Sequence, residues 1–247
     1  MQSFCKDFQN NIMMNKIDKI NISKLSKFFK VLDLNNISDL TANHVSILSS
    51  DKKSFYTNQH KHLFSQVNSK NLVKINFHEK SSSKLKIINK AGYEIHRHLH
   101  MSKAKPFAIL HSHSINAVAI SCLKDGFIEK LNQSSMRFYK KVKYVEYNSM
   151  AITSDIGKEI SSVVEKDTKL IILKNHGNIV LGSSLEELQH LTFHFEKCCE
   201  IQLKVSGNKL NYRLVSNKIA EKTSYQHSNS FGPVGRLSWN ASIKKIK

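Results

Sequence analysis

The sequence predicts an α/β fold in one domain, on three observations. Short runs rich in β-branched and aromatic residues, such as "HVSIL", "LVKINF" and "LIIL", alternate with stretches whose apolar residues recur every three to four positions. The connections between strands are mixed, some short enough for hairpins and others long enough for crossover helices, with no internal repeat. The 247 residues are 40% hydrophobic, which suffices for the core of one large domain or of a domain with a tail.

In chain order, residues 1–21 are polar and weakly patterned and read as an N-terminal arm. "ISKLSKFFKVLDLNN" places Ile22, Leu25, Phe28, Phe29 and Leu32 on one helical stripe. "HVSIL" and "SFYT" straddle the turn-like "SSDKK", a hairpin pattern. "FSQVNSKNLVKINF" reads as a turn and short helix leading into a strand, and "NKAGYEIHRHLHMSK" as a helix. "PFAILHSHSINAVAIS" is a strand with two histidines one residue apart, followed by a helix over "SCLKDGFIEKLNQSSMRFYKKV" and a short strand "YVEYN". "SDIGKEISSVVEKD" carries an N-cap Ser or Asp before the periodic Ile156, Ile160, Val163 and Val164. "TKLIILKNHGNIVLGSS" is a strand, a loop and a second strand. "SLEELQHLTFHFEKCCEIQLKVSG" is the longest helix, entered through a capping box of Ser184 and Glu187. The domain thus spans 22–206, and 207–247 form a polar C-terminal tail whose Trp239 is expected to dock back on the body.

The formal net charge is +19, a value that suits nucleic acid or an anionic surface. Yet the lysines are spread along the whole chain, the densest cluster is the terminal "IKKIK", and no aromatic residues interleave a basic element. With lysine, asparagine, isoleucine and serine abundant and only 8 glycines and 2 prolines, the charge reads as codon bias toward AT and a solvated surface, so nucleic acid is not expected as a partner. Cys5, Cys122, Cys198 and Cys199 form no CxxC pair and read as free thiols of a reducing compartment. The first residues lack the apolar core of a signal peptide and no segment has the length of a membrane span, so a cytoplasmic location without membrane attachment is expected.

Chemistry concentrates in two stretches. In a strand, residues i and i+2 share a face, so His111 and His113 would project side by side. In "LIILKNHGNIVLG", His176 sits in a tight turn, where Gly177 permits unusual backbone angles and Asn175 favours the turn. Three neutral imidazoles with an open position make a Lewis-acid zinc site, though three imidazoles also accept Mn, Fe, Co or Ni. The chain holds 13 histidines, so a chance HxH remains open on spacing alone.

Taken in order, "LTANHVSIL", "NKAGYEIH", "ILHSHSINAVAIS", "LIILKNHGNIVLG" and "FEKCCEIQLKVSG" resemble the class II aldolase/adducin family, and its bacterial adducin-like branch most, over roughly residues 22–205. The resemblance implies a three-layer α/β/α fold with a mostly antiparallel central sheet, commonly a homotetramer with sites between subunits. It implies Zn2+ held by His111, His113 and His176. It also implies departures. By ungapped count from His111 the family's acid/base carboxylate falls on Gly92, and Glu94, two residues on, is the catalytic candidate if the segment between is shorter. The family's phosphate-cradling Gly-Asn-x-Ser turn is here "NHVS", with Asn43 and His44 in place of Gly and Asn, and its Thr-Pro-Ser-Gly loop is "TNQH". His44, His60 or Lys61 would then bind an anion by charge, and Tyr56, Tyr93, Tyr139 or Tyr147 are substitute acids. The implied activity is a zinc-dependent lyase acting on a small hydroxy-carbonyl compound, including sugar phosphates. The alternative is a catalytically inert adducin-like binding or scaffold protein.

Overall fold

The computed structural model describes residues 15–80, 82–146, 154–207, 211–229 and 233–246. Helix α1 (Lys16–Leu34) leads into the hairpin β1 (His44–Leu48) and β2 (Ser54–Asn58), then β3 (Leu72–Asn76), a short α2 (Ser83–Ile87) and α3 (Lys90–His100). Next come β4 (Ala108–Ser112), α4 (Ile115–Ser121), β5 (Val142–Val145), α5 (Ser154–Ser162), β6 (Leu170–Leu173) and β7 (Gly177–Gly182). The long α6 (Leu185–Ser206), α7 (Asn217–Asn229) and α8 (Arg236–Ile243) complete the chain.

The strands form one sheet in the order β3-β2-β1-β4-β7-β6-β5. Every pairing is antiparallel except β5 with β6, so the mostly antiparallel sheet holds. Alternation along the strands builds the two outer layers. Ala108 and Leu110 of β4 face one way, into a core shared with Leu25 and Phe29 of α1, Ile120 of α4 and Leu188 and Phe195 of α6. Ile109 faces the other way, against Ile95 and Leu99 of α3 and Ile160 of α5. β4 is therefore buried on both faces, which explains its unbroken apolar run.

Several boundaries differ from the sequence reading for identifiable reasons. α1 begins at Lys16, so the last residues of the expected arm are helical, with Asn15 accepting the Ile17 N–H as the cap; residues 1–14, with Cys5, lie outside the described residues. The helix expected over 121–142 is absent. α4 ends at Ser121, and Gly126 lies so close to the Ile120 carbonyl that any Cβ would collide with it. Asn132 then captures the Ser134 and Ser135 N–H groups and leaves only a 3-10 turn at Ser135–Phe138. Ser184 caps α6 by accepting the Glu187 N–H, but the Glu187 carboxylate does not reciprocate: it accepts from the Ser183 N–H at 2.6 Å and pairs with Lys169 at 2.8 Å. In the C-terminal segment, Trp239 does dock on the body, 3% exposed and 6.2 Å between ring centroids from Phe28. Cys198 and Cys199 belong to the core, and the three described cysteines are free. Among the described residues no helix is long and apolar enough to cross a membrane.

Asp18, inside the expected arm, is 2% exposed and ties α1 to the hairpin. It accepts from the Ser50 N–H at 2.9 Å, the Ser49 hydroxyl at 3.0 Å and the Tyr56 hydroxyl at 3.1 Å. Burial alone would raise its pKa, but these hydrogen bonds outweigh it and hold the carboxyl below its usual value. Asp18→Ala should cost about 3 kcal/mol in urea unfolding, because three donors, two of them buried, lose their acceptor. A depressed folded pKa contributes stability that is complete above the unfolded value, about 3.9, and is lost as pH falls through the folded one. Asp18→Asn should accordingly flatten the acid limb of the stability profile, and an unchanged limb would contradict the assignment.

Candidate metal centre

His111 is the fourth residue of β4, but His113 lies beyond the strand end, where the chain turns toward α4. The two therefore converge from a strand and a loop and not from one pleated face. β7 runs antiparallel beside β4, with His111 opposite Ile179 and Ser112 opposite Asn178, and this register brings the β6–β7 turn and His176 against the strand end. The left-handed conformation in that turn is taken by Asn175, at φ 55°. Gly177 serves a different purpose from the one expected: a Cβ there would lie 2.6 Å from the Ser112 carbonyl oxygen and 3.0 Å from the His113 ring. Close approach, not backbone freedom, requires the glycine.

The three Nε2 atoms meet. His113 Nε2 lies 2.9 Å from His111 Nε2 and 3.0 Å from His176 Nε2, and the candidate ligand atoms are all within 4.8 Å of one another. The opposite ring nitrogens fix what these contacts are. His111 Nδ1 is 3.0 Å from the Asn178 carbonyl oxygen, which only accepts, so Nδ1 carries the hydrogen and Nε2 a lone pair. His113 Nδ1 is 3.0 Å from the Asp39 carboxylate and donates to it, so the neutral ring presents its Nε2 lone pair to the cluster. Lone pairs that face one another at this distance repel unless an electrophile lies between them. A tetrahedral zinc with bonds of about 2.0–2.1 Å needs its nitrogens about 3.3 Å apart, a few tenths of an ångström from the distances found. Burial pushes His111 well below the usual imidazole value, helped by His44, His113 and His176, and burial with His113 brings His176 down to about 4. Neutral imidazoles are the form that binds metal. Asn43 and Asn178 flank the cluster, and each keeps a buried amide nitrogen without a partner in the protein.

Glu94 is not brought into this cluster. Its carboxylate pairs with Arg97 at 2.8 Å and lies 3.9 Å from His98, and its carbonyl abuts Gly157 of α5. Gly92 is the residue of α3 that borders the site: a Cβ on it would be 2.9 Å from the His44 ring, which packs on His111 at 4.8 Å between centroids. The His44 imidazole thus fills the space into which a side chain at 92 would extend. Of the tyrosines, Tyr56 donates to Asp18, Tyr93 to the Phe77 carbonyl at 3.0 Å, Tyr139 lies under Lys140, and Tyr147 is outside the described residues.

Sequence reasoning missed a buried polar chain behind the centre. His100 Nδ1 donates to the Pro106 carbonyl at 2.9 Å, so His100 Nε2 accepts, from the Ser46 hydroxyl at 2.8 Å. Ser46 in turn accepts from His96 Nδ1, and His96 Nε2 accepts from His44 Nδ1 at 2.7 Å. One carbonyl therefore orders four groups and leaves His44 Nε2 with its lone pair. Burial is the main cause that holds these rings neutral: His44 and His96 fall well below the usual value and His100 to about 4. His44 is 4% exposed and uncharged, so it does not bind an anion by charge, whereas His60 and Lys61 are exposed. The readable signal was Tyr93, His96 and His100 on one helical face opposite H-x-S in a strand.

Residues 23–203 match the model of the Class II Aldolase and Adducin N-terminal domain. A Caulobacter vibrioides protein grouped by name with the class 2 aldolases is 24% identical over 225 residues, 90% of this chain and 87% of its own. Rat alpha-adducin is 26% identical over 200 residues, 79% of this chain but only 27% of that longer protein. Among solved structures, an aldolase II superfamily protein from Pseudomonas syringae superposes with a TM-score of 0.82 at 24% identity, covering 96% of this chain and 95% of its own. L-fuculose 1-phosphate aldolase from Glaciozyma antarctica superposes with a TM-score of 0.76 at 20% identity, covering 91% and 87%. With the whole sheet, most of the helices packed on it and the His111, His113 and His176 segments inside the matched region, the chain belongs to the class II aldolase and adducin family.

Proposed function

We propose that the protein is a zinc-dependent lyase of the class II aldolase type that acts on a small hydroxy-carbonyl compound in a reducing cytoplasm. His111, His113 and His176 would hold the zinc. The observation that carries this reading is the facing of Nε2 lone pairs whose opposite nitrogens are pinned by Asn178 and Asp39. When bound, the ion supplies Lewis acidity toward a carbonyl oxygen. The protein's own groups orient that ligand set. Asp39 fixes the His113 tautomer, Asn43 holds the His113 backbone N–H at 3.2 Å, and the buried chain from Pro106 holds the His44 ring against His111.

The hydroxyls that would cradle a substrate phosphate are turned inward. Ser46 is enclosed by His96 and His100, and Thr57 donates to the Val45 carbonyl at 2.9 Å. This favours recognition of the hydroxy-carbonyl unit over recognition of a phosphate. Adducin relatives and the position of Glu94 away from the cluster support the second reading, a scaffold that kept the site without turnover. A homo-oligomer, a tetramer by the family resemblance, completes the proposal. Ile115, two residues from His113, is 85% exposed, and Phe127 is half exposed, an apolar rim suited to a neighbouring copy.

Protein without a histidine tag should contain about one zinc per chain by plasma mass spectrometry, and His176→Ala should contain none. Absence of metal in the parent after incubation with excess zinc would refute the lyase reading. In retro-aldol assays, L-fuculose and its 1-phosphate should react with similar kcat/KM. Glu94→Gln, assayed alongside, should keep metal and turnover; a drop of about 10²–10⁴-fold at full metal content would return the proton-transfer role to Glu94. Ile115→Glu should lower the mass found by light scattering, whereas an identical mass would remove the rim from the interface.

A further inference from the structure

A second cluster of charge lies at the end of the sheet opposite the metal centre. β7 leaves that centre at Gly177 and ends at Gly182, and β6 begins at the far end, where Leu170 pairs with Val180. Lys169 precedes β6 and Lys141 precedes its parallel neighbour β5, so both lysines stand at the far end. Arg137 of the 3-10 turn, His190 of α6 and His227 of α7 stand with them. These three border two adjoining cavities of about 270 and 170 Å3; Pro233–Ser238 close the larger, and Lys141, Lys169 and Glu187 line the smaller.

The charges in this cavity do not balance. Arg137 is half-buried and donates through Nε to His190 Nε2 at 3.1 Å, and no carboxylate among the described residues lies within ion-pair distance of it. Lys141, also half-buried, donates to the Ser228 hydroxyl at 2.8 Å and makes no ion pair among the described residues. Lys169 alone is paired, with Glu187, which Ser183 shares. Three cations thus face two carboxylates, Glu187 and, acting on Lys141 alone, Asp167, and neither carboxylate reaches Arg137. Burial lowers the pKa of Arg137, and burial with the charge of Lys169 lowers that of Lys141 against the opposing pull of Asp167 and Glu187. Burial and then the charge of Arg137 bring His190 to about 4 and His194 to about 3, so both are neutral hydrogen-bonding groups. A buried charge is ordinarily paired, and among the described residues Arg137 has no carboxylate partner.

We propose that this pocket binds a tetrahedral oxyanion of the phosphate class, with the Arg137 guanidinium as a bidentate donor and Lys141 as the second cation. A fork of N–H donors beside a point charge matches a dianion better than a single carboxylate, which would leave one cation unpaired. Free phosphate and the phosphate of a monoester share this chemistry. The larger cavity along Pro233–Ser238 gives the organic part of an ester a place to lie. The site is separate from the metal centre, so it stands or falls independently of the lyase reading.

Thermal unfolding of the metal-loaded full chain should be followed against inorganic phosphate, and against adenosine monophosphate, at ionic strength held constant with sodium chloride. Binding to the folded state raises Tm progressively with ligand concentration. Arg137→Met and Lys141→Met should each weaken phosphate about tenfold or more while metal content stays the same, and the response should persist in His176→Ala. Tighter binding of the monoester assigns the larger cavity to its organic part, and equal binding assigns the pocket to free phosphate. The proposal is overturned if chloride reproduces the shift, if both Met variants respond as the parent does, or if His176→Ala abolishes the response. It is also overturned if Arg137→Met lowers the mass by light scattering, because a carboxylate of a second copy would then be the missing counter-charge.

Discussion

The antiparallel pairing of β4 with β7 is the constraint on which the rest of the site depends. Its register sets Ser112 opposite Asn178, and from that one alignment follow the docking of the β6–β7 turn on the strand end and the meeting of three imidazoles. The approach is so close that residue 177 has no room for a Cβ. A slip of one residue would turn every side chain of β4 to the other face and send His111 into the helical core. The burial of β4 on both faces makes such a slip expensive, so packing fixes the register and the register fixes the site.

Around this pairing, the interior on the α3 side carries a connected polar network. A chain of hydrogen bonds runs from the Pro106 carbonyl through His100, Ser46 and His96 to His44, and the first link dictates the tautomer of every ring after it. Such a chain is expensive if broken, since each of its members is buried. It also explains why the departures at 44 and 92 go together. The imidazole of His44 occupies the volume that a side chain on Gly92 would need, so the helix comes close only because residue 92 is glycine.

Much of the architecture was legible locally. The apolar stripe of α1, the hairpin, and the Ser184 cap of α6 are local properties, set by periodicity, turn chemistry and side-chain-to-backbone bonds within a few residues. Where the local reading failed, either a local contact that periodicity does not register or a contact across the fold overruled it. The helix expected over 121–142 meets Gly126 pressed against the Ile120 carbonyl, and the expected arm is held as helix by Asp18 reaching β2 and the turn before it.

What the sequence determined by itself was the strands and most of the helices between residues 22 and 206, and the identity of the three converging histidines, the latter through ordered motifs characteristic of a family. What only the tertiary structure decided was which groups surround them. Asp39, Asn178, His44 and His96 reach the centre or its neighbours from separate elements, Glu94 turns away on its helix toward Arg97, and Arg137 and Lys141 stand beside a cavity without an ion pair among the described residues. The reason is physical: periodicity and capping act over a few residues, whereas tautomers, buried charges and their counter-charges are settled by groups brought together across the sheet.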